Sequence, residues 1–523
     1  MHHLHLRPTL LLILLLTRTI ACHTPHPPHP QNLTTPSVEA PAPATSKTML
    51  WIRDVTVISP ERPEPLHHAH VWVRSGRIVS VDEQAPQEPP PEATVIDGNG
   101  RFLVPGLIDA HVHLGEIPGI AHPAQAALPE LTDAYFRQLP RSYLYFGFTT
   151  VIDLGNLDRN RLEEFRSAPV APSVFSCGLS LPLANGYPMA FAPPEVRFDL
   201  FPNFLYDERQ ADSIPARFPP VEHTPEATVS RATTEGGICV KTYFEPGFGA
   251  QYNLLPTPTP ELVTAVRTAA HQKNLPLLLH ANSLRAHRFA VDVQVDAVVH
   301  GLWNWQTEPT GPISAAALPP PIRQVLDDEA RSGIVMMPTL RVIAGLQDLF
   351  VPEFLADPHL PRVLPASLLQ WYRSDDGSWF TRELAGDASS TSHERMRTVF
   401  QRVKEAGRAA ATYFAANGGR LVFGSDTPSS PTYANPPGYN GYLEMQELER
   451  AGIPPTKIIE AATRSAAEFF GMAKDRGTIA PGQRADLLLL QADPSTSIRA
   501  FDSIELVIVG GKPIPRDELS VGS

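Results

Sequence analysis

From Met49 onward the chain alternates short apolar runs with amphipathic stretches. Val71-Trp72-Val73 and Ile78-Val79-Ser80-Val81 flank Arg74-Ser75-Gly76-Arg77, the pattern of a β-hairpin. A similar set closes the chain, with strands at Ala485–Leu490 and Leu506–Val509 and a tight turn at Gly510-Gly511. Neither set alone makes a stable sheet, so together they predict one small β-sandwich assembled from both chain ends. Between them lie eight candidate strands: Leu107–His113, Phe148–Asp153, Ser173–Cys177, Ile238–Tyr243, Leu275–His280, Asp296–His300, Ile334–Pro338 and Leu421–Asp426. They alternate with helical periodicity, which predicts a parallel α/β architecture. Eight is the number needed for a closed (β/α)8 TIM barrel.

Two of the helices carry clear signals. Thr259-Pro260-Glu261 opens one, with Pro at the first helical position and an acid in the first turn; its apolar stripe is Leu262, Val263, Val266, Ala269 and Ala270. A second is expected from about Thr456 to Phe470, with Ile458, Ile459, Ala462, Ala466 and Phe469 on one face. Two connections are long, roughly Gly178 to Gly237 and Thr339 to Arg420. Both leave the C-terminal ends of strands, where barrel sites lie, so lids or binding loops are expected. Phe191, Phe198, Phe201, Phe204, Trp371, Trp379 and Phe380 are candidates to line a pocket there, with ordinary loop packing as the alternative.

Composition sets the context. The chain has 523 residues, enough for more than one domain, and a net charge of −12, which argues against a nucleic-acid partner. Residues 1–22 read as an export signal whose apolar core, Leu10 to Leu16, is too short to span a bilayer. Thr19-Ile20-Ala21-Cys22 resembles a bacterial lipobox, which implies lipidation of Cys22 and membrane contact only through that anchor; an ordinary cleaved signal is the alternative. Residues 23–48, rich in Pro, Thr, Ala and His, read as a tether. The expected division is then 49–104 and 476–523 for the two parts of the sandwich and 105–475 for the barrel. Self-association is compatible with this organisation. Cys177 and Cys239 both fall in expected strands and read as buried free thiols rather than a disulfide.

The chemistry lies at the strand ends. Pro105-Gly106-Leu107-Ile108-Asp109-Ala110-His111-Val112-His113 is an apolar strand ending in His-x-His, which projects two imidazoles to one side. Neutral imidazole is a standard ligand for zinc and related divalent metals. Lys241 lies near the end of the fourth strand, His280 ends the fifth, His300 the sixth and Asp426 the eighth. A metal accounts for so much polarity at the ends of apolar strands, because burying it unpaired is costly.

This constellation resembles the amidohydrolase superfamily, in its branch with a carboxylated lysine, near prolidase-like and imidazolonepropionase-like enzymes. The resemblance rests on the His111/His113 motif, on Gly147-Phe148-Thr149-Thr150-Val151, and on Gly477-Thr478-Ile479-Ala480-Pro481-Gly482-Gln483-Arg484-Ala485-Asp486-Leu487. It implies two divalent ions, Zn2+ being the first expectation, with His111, His113 and Asp426 at one and His280 and His300 at the other. Lys241, carrying a carbon dioxide-derived carboxylate, would bridge them. It also implies hydrolysis of an amide, peptide-like or cyclic amide C–N bond in a small molecule, with Asp426 as proton shuttle. Tyr243, two residues past Lys241, shares its face and is a candidate to hydrogen-bond the carbonyl oxygen or a substrate carboxylate, with packing inside the barrel as the alternative. Alternatives on the same site are a lactonase, a phosphotriesterase-like hydrolase or a deaminase; a non-catalytic lipid-anchored binding protein is a third reading. One departure stands out: the fifth strand carries His280-Ala281-Asn282 where such relatives often have His-x-His.

Overall fold

The structure is a computed structural model that describes residues 49–84, 91–155, 158–248, 254–306, 311–386, 389–429 and 431–522. The expected signal, the tether and Cys22 lie outside the described residues. Strands β1 (Met49–Val57), β2 (Leu66–Arg74), β3 (Arg77–Asp82), β4 (Thr94–Asp97) and β5 (Phe102–Pro105) open the chain. Seven short strands follow: β6 (Leu107–Val112), β7 (Phe148–Asp153), β8 (Ser173–Ser176), β9 (Val240–Tyr243), β10 (Leu277–His280), β11 (Ala297–Val299) and β12 (Val335–Met337). β13 (Leu487–Leu490), β14 (Ile504–Val509) and β15 (Lys512–Pro515) close it.

The two chain ends meet as their alternating patterns predict. β2 and β3 form the expected hairpin, and β14 and β15 form a second around Gly510-Gly511. The expected sandwich is instead one continuous eight-stranded sheet, ordered β15-β14-β13-β5-β1-β2-β3 with β4 also on β1. The reason is β5, which pairs parallel with β1 on one side and antiparallel with β13 on the other, so the ladder crosses from one chain end to the other unbroken. Ile52, Val71, Val73, Leu103, Leu487, Leu489 and Ile508 pack on its buried face.

β6-β7-β8 and β9-β10-β11-β12 are two parallel sheets. Apart from Ser173–Phe175 of β8 and Tyr243 of β9, which are partly exposed, their residues are buried on both faces, as parallel strands covered by helices require. Main-chain bonds link the sheets. Ile238 N donates to Ser176 O at 2.8 Å and Leu181 N to Lys241 O at 2.8 Å. On the other side Val422 N donates to Met336 O at 3.0 Å and Ala110 N to Phe423 O at 3.1 Å. The expected eighth strand, Leu421–Asp426, is not a strand but an irregular segment with a single bridge from Leu421 to Met336. A side chain supplements those few main-chain bonds: the Asp109 carboxylate accepts from Ser425 N at 2.9 Å and from Ser425 Oγ at 2.5 Å.

Cys177 and Cys239 are joined as a disulfide, not free thiols. They sit just after β8 and just before β9, with Cα atoms 4.5 Å apart, and a sequence separation of 62 hides that adjacency. The bond closes the first long connection at its base. Removing it with Cys177→Ala/Cys239→Ala should lower unfolding free energy by about 2–5 kcal/mol. Urea melts of oxidised wild type and the double variant measure this, and coincident midpoints would show that the bond adds nothing.

The helix Pro260–His271 forms as read, with Thr259 Oγ1 accepting from Leu262 N, and Val263, Val266, Ala269 and Ala270 buried. The last expected helix runs through Pro455–Glu460 and Ala466–Phe469 but widens to a π turn at Ala461–Ser465. Ala461 O accepts there from Phe423 N at 3.1 Å, so the widened turn feeds the irregular eighth segment. The second long connection is largely helical, including Arg341–Asp348, Ala366–Tyr372, Trp379–Ala385 and Ser390–Ala416. Trp371, Trp379 and Phe380 pack on the main core, while Phe198 and Phe204, with Phe201 beside them, build a separate apolar cluster. Packing therefore accounts for six of the seven expected pocket aromatics, and Phe191 alone joins the rings around Tyr187 described below.

Candidate metal centre

Each strand end contributes one polar group because a β-strand turns alternate side chains to opposite faces. His111 is the penultimate residue of β6 and is 1 % exposed; its Nε2 lies 2.9 Å from Asp426 Oδ1. His113 Nε2 lies 3.0 Å from the same oxygen. The His111 and His113 ring centroids are 5.1 Å apart, and those of His111 and His300 are 5.5 Å apart. His300 Nε2 is 2.9 Å from His280 Nδ1. His111, His300 and Asp426 each offer a ligand atom, and these atoms all lie within 4.8 Å of one another. Lys241 is buried on β9, whose neighbour β10 ends in His280, and Asp426 acts on its charge. All six residues expected from the sequence thus converge. Tyr243, also expected, lies beside them, with its ring centroid 5.3 Å from Lys241 Nζ and its hydroxyl hydrogen-bonded to Ser180.

The backbone is bent to achieve this. His300 (φ 98°), Thr339 (φ 44°) and Asp426 (φ 55°) hold positive φ. For a β-branched Thr or a His this is strained backbone, costing about 1–3 kcal/mol each, and such strain gathers at functional sites.

Electrostatics separates the two histidines of the first motif. Burial pushes His111 down to about 3, against the pull of Asp426. Burial also opposes charge on His113, but its hydrogen bond to Asp426 and the charges of Asp426 and Glu116 overcome this and raise it to about 9. Burial lowers His280 and His300 as well. For Asp426 burial acts upward, yet His111, His113 and His300 hold it well below the usual carboxylate range. Burial brings Lys241 down to about 8, so its neutral amine is accessible near neutral pH.

The residues suit a divalent metal. Burial disfavours charge on His111, His280 and His300 around one ionised carboxylate, a metal would take the place of the proton that Asp426 holds on His113, and the buried Nδ1 of His111 has no hydrogen-bond partner among the described residues. The hydroxyl of Thr339, 2.7 Å from His300 Nδ1, either donates or accepts, so it can satisfy either neutral tautomer of His300; for Nε2 to become a ligand its proton must move to Nδ1, where the turned hydroxyl accepts it.

Sequence reading missed four groups. Asp109 anchors the eighth segment, as described. Glu245 is buried against His280, with Oε2 3.2 Å from Nε2. Glu116 lies near His113, and burial raises it to about 7. Tyr187, from the first long connection, sets its ring 4.6 Å from His280 and 5.6 Å from Tyr243. Glu245 shares the parity of Lys241 and Tyr243, a signal the sequence did carry.

The family model of the amidohydrolase family matches residues 102–296 and 383–514. The chain belongs to the amidohydrolase family. The adenine deaminase of Rubrobacter xylanophilus is 35 % identical over 149 residues, 28 % of this chain. That match spans only 23 % of the deaminase's length. An amidohydrolase of known structure superposes with a TM-score of 0.64 at 20 % identity, over 90 % of this chain and 99 % of the other. A Xaa-Pro dipeptidase, crystallised with methionine in its active site, gives 0.61 at 18 % identity, over 90 % and 100 %. These likenesses establish a TIM-barrel-like fold with an additional domain.

Proposed function

We propose that this amidohydrolase is a metal-dependent hydrolase that cleaves a C–N bond of a small molecule at the mouth of a closed (β/α)8 barrel. The observation that carries this is the meeting of His111, His300 and Asp426 within 4.8 Å, with His113, His280 and Lys241 around them. The bonds from β8 to β9 and from β12 through Val422 and Phe423 to β6 support reading the two parallel sheets as one ring.

Two divalent ions, Zn2+ first among them, would be held by His111, His113 and Asp426 on one side and by His280 and His300 on the other. Lys241 would sit between them as its carboxylated form. Such ions supply Lewis acidity and a water acidic enough to attack at neutral pH. The chain's own groups do the rest. Asp426 is ionised, accepts the proton of the attacking water and returns it to the departing nitrogen. Tyr243 directs its hydroxyl toward the carbonyl oxygen or a substrate carboxylate.

Tyr187, Phe191, Phe248 and Tyr243 form a wall of partly exposed rings beside His280, with centroids 5.6 to 5.7 Å from Tyr187. A flat or cyclic substituent next to the scissile bond would stack there. Tyr187→Ala should raise KM for ring-bearing substrates by roughly 5- to 10-fold, an aromatic contact being worth about 1 kcal/mol. An equal effect on a ring-free substrate would remove Tyr187 from recognition.

The likeness to adenine deaminase favours a second reading, deamination of a ring. One screen separates the two: N-acyl amino acids, dipeptides, lactones and adenine, with ammonia release scored beside amide cleavage and metal content. Turnover of none of these by metal-loaded protein would defeat both. The buried Cys177–Cys239 disulfide supports an exported protein, because such bonds persist in oxidising compartments.

A further inference from the structure

We infer that Glu245 and Asn282 form a clamp that fixes the tautomer of His280, making Glu245 a positioning residue for the second metal. This inference rests on the metal site proposed above. The three side chains are buried, at 3 %, 3 % and 5 % exposure. Glu245 Oε2 lies 3.2 Å from His280 Nε2 and accepts from Asn282 Nδ2 at 2.7 Å. Its other oxygen, Oε1, accepts from Gly247 N at 3.0 Å. The carboxylate is therefore held at both oxygens by groups outside the cluster of histidines.

A carboxylate without a proton only accepts. The Asn282 Nδ2 amide also lies 3.4 Å from His280 Nε2 but makes its shorter bond, 2.7 Å, to Glu245, so the proton of His280 sits on Nε2, facing the carboxylate. That leaves the lone pair on Nδ1, the atom 2.9 Å from His300 Nε2. Without Glu245 the imidazole is free to carry its proton on Nδ1, which points a hydrogen at the place where a cation belongs. Partners that set ring orientation and tautomer in this way raise the affinity of the histidine for metal.

The clamp also explains Asn282, the position where relatives often carry a second histidine. A neutral imidazole there offers one N–H, whereas an amide offers two on one nitrogen. Here the Asn282 amide donates to Glu245 and holds it in place. The departure from the family pattern thus supports the first histidine instead of duplicating it.

The test is Zn2+ titration of the whole chain against a chromophoric chelator. Wild type should bind two equivalents; failure at this step defeats the metal site itself and the clamp with it. Given two, Glu245→Ala should weaken one equivalent by roughly 10- to 100-fold and leave the other in place. Asn282→Ala should weaken the same equivalent by less. Glu245→Gln should fall between Glu245→Ala and wild type, because its carbonyl oxygen still accepts from Nε2. If Glu245→Ala does not fold, Glu245→Gln and Asn282→Ala carry the measurement. The deciding arm is His280→Ala. In that background Glu245→Gln and Glu245→Ala should add no further loss, because the ring they orient is gone. A loss of the same size with and without His280, or wild-type affinity in Glu245→Ala, would overturn the clamp.

Discussion

Replacing Asp426 with Asn is expected to lower turnover by roughly 10²- to 10⁴-fold, the usual contribution of a general acid–base group. Asn matches Asp in shape, and its carbonyl oxygen still reaches the positions of His111 and His113. What it lacks is the ability to take up a proton. Asp426 is suited to that task because three histidines keep it ionised despite its burial. Its backbone is also held, with Asp426 N donating to His111 O at 2.8 Å. Because Asp426 is a proposed ligand as well, the comparison is made at matched metal occupancy, on the substrate identified by the screen. Near-wild-type turnover under those conditions would remove Asp426 from proton transfer and leave the metal site standing. A loss confined to KM would assign it to binding alone.

The sequence exposed the site better than it exposed the frame. His111, Lys241, His280 and His300 were legible because each ends a short run of Val, Leu, Ile or Ala. A polar residue there has few reasons to exist other than chemistry. The seven strands were legible for the same reason, with ends trimmed by one or two residues. The eighth was legible only in part: Val422 and Phe423 bond to the main chain of Met336 and Ala110, but Phe423 N turns to Ala461 and Ser425 N to the Asp109 side chain, which leaves too few regular pairs for a strand. Apolar character predicts burial of Val422 and Phe423 but says nothing of where their amides go. The disulfide was hidden by its 62-residue separation, which only the order of the strands brings to contact. The sandwich became a single sheet because β5 pairs on both sides, and an apolar tetrapeptide does not reveal how many neighbours it has. Tyr187 was hidden inside a long connection with no periodicity to mark it. Glu245, in contrast, lay in plain view two residues past Tyr243. Parity put it on the same face as Lys241, and a buried acid on that face warrants a partner.

On the proposed two-metal site, Lys241→Ala should remove at least one of the two expected metal equivalents, on the order of a 100-fold loss of affinity or more, since a bridging group would contribute at least what an outer partner does. Lys241 is buried, has no ion-pair partner among the described residues, and sits beside the histidines proposed as metal ligands. A bare ammonium there would repel metal. Its neutral amine, accessible because burial lowers it to about 8, can attack carbon dioxide. The nitrogen lone pair forms the new N–C bond, one C=O electron pair moves onto oxygen, and the displaced N–H proton leaves to solvent. The neutral amine thereby becomes an anion with two oxygens, the type of ligand two divalent ions share; from the resting ammonium the change releases two protons in all. Lys241→Arg tests the charge argument separately, since guanidinium stays cationic and does not carboxylate; it should bind metal no better than the alanine variant. Elemental analysis of wild type, Lys241→Ala and Lys241→Arg gives the occupancies, and apo-protein reloaded with Zn2+ with and without bicarbonate tests the carbon dioxide requirement. Two equivalents in Lys241→Ala would take the lysine out of the site. Full reloading of wild type in carbon dioxide-free buffer would leave Lys241 near the metals without its carboxylate, and the bridge would have to come from another group.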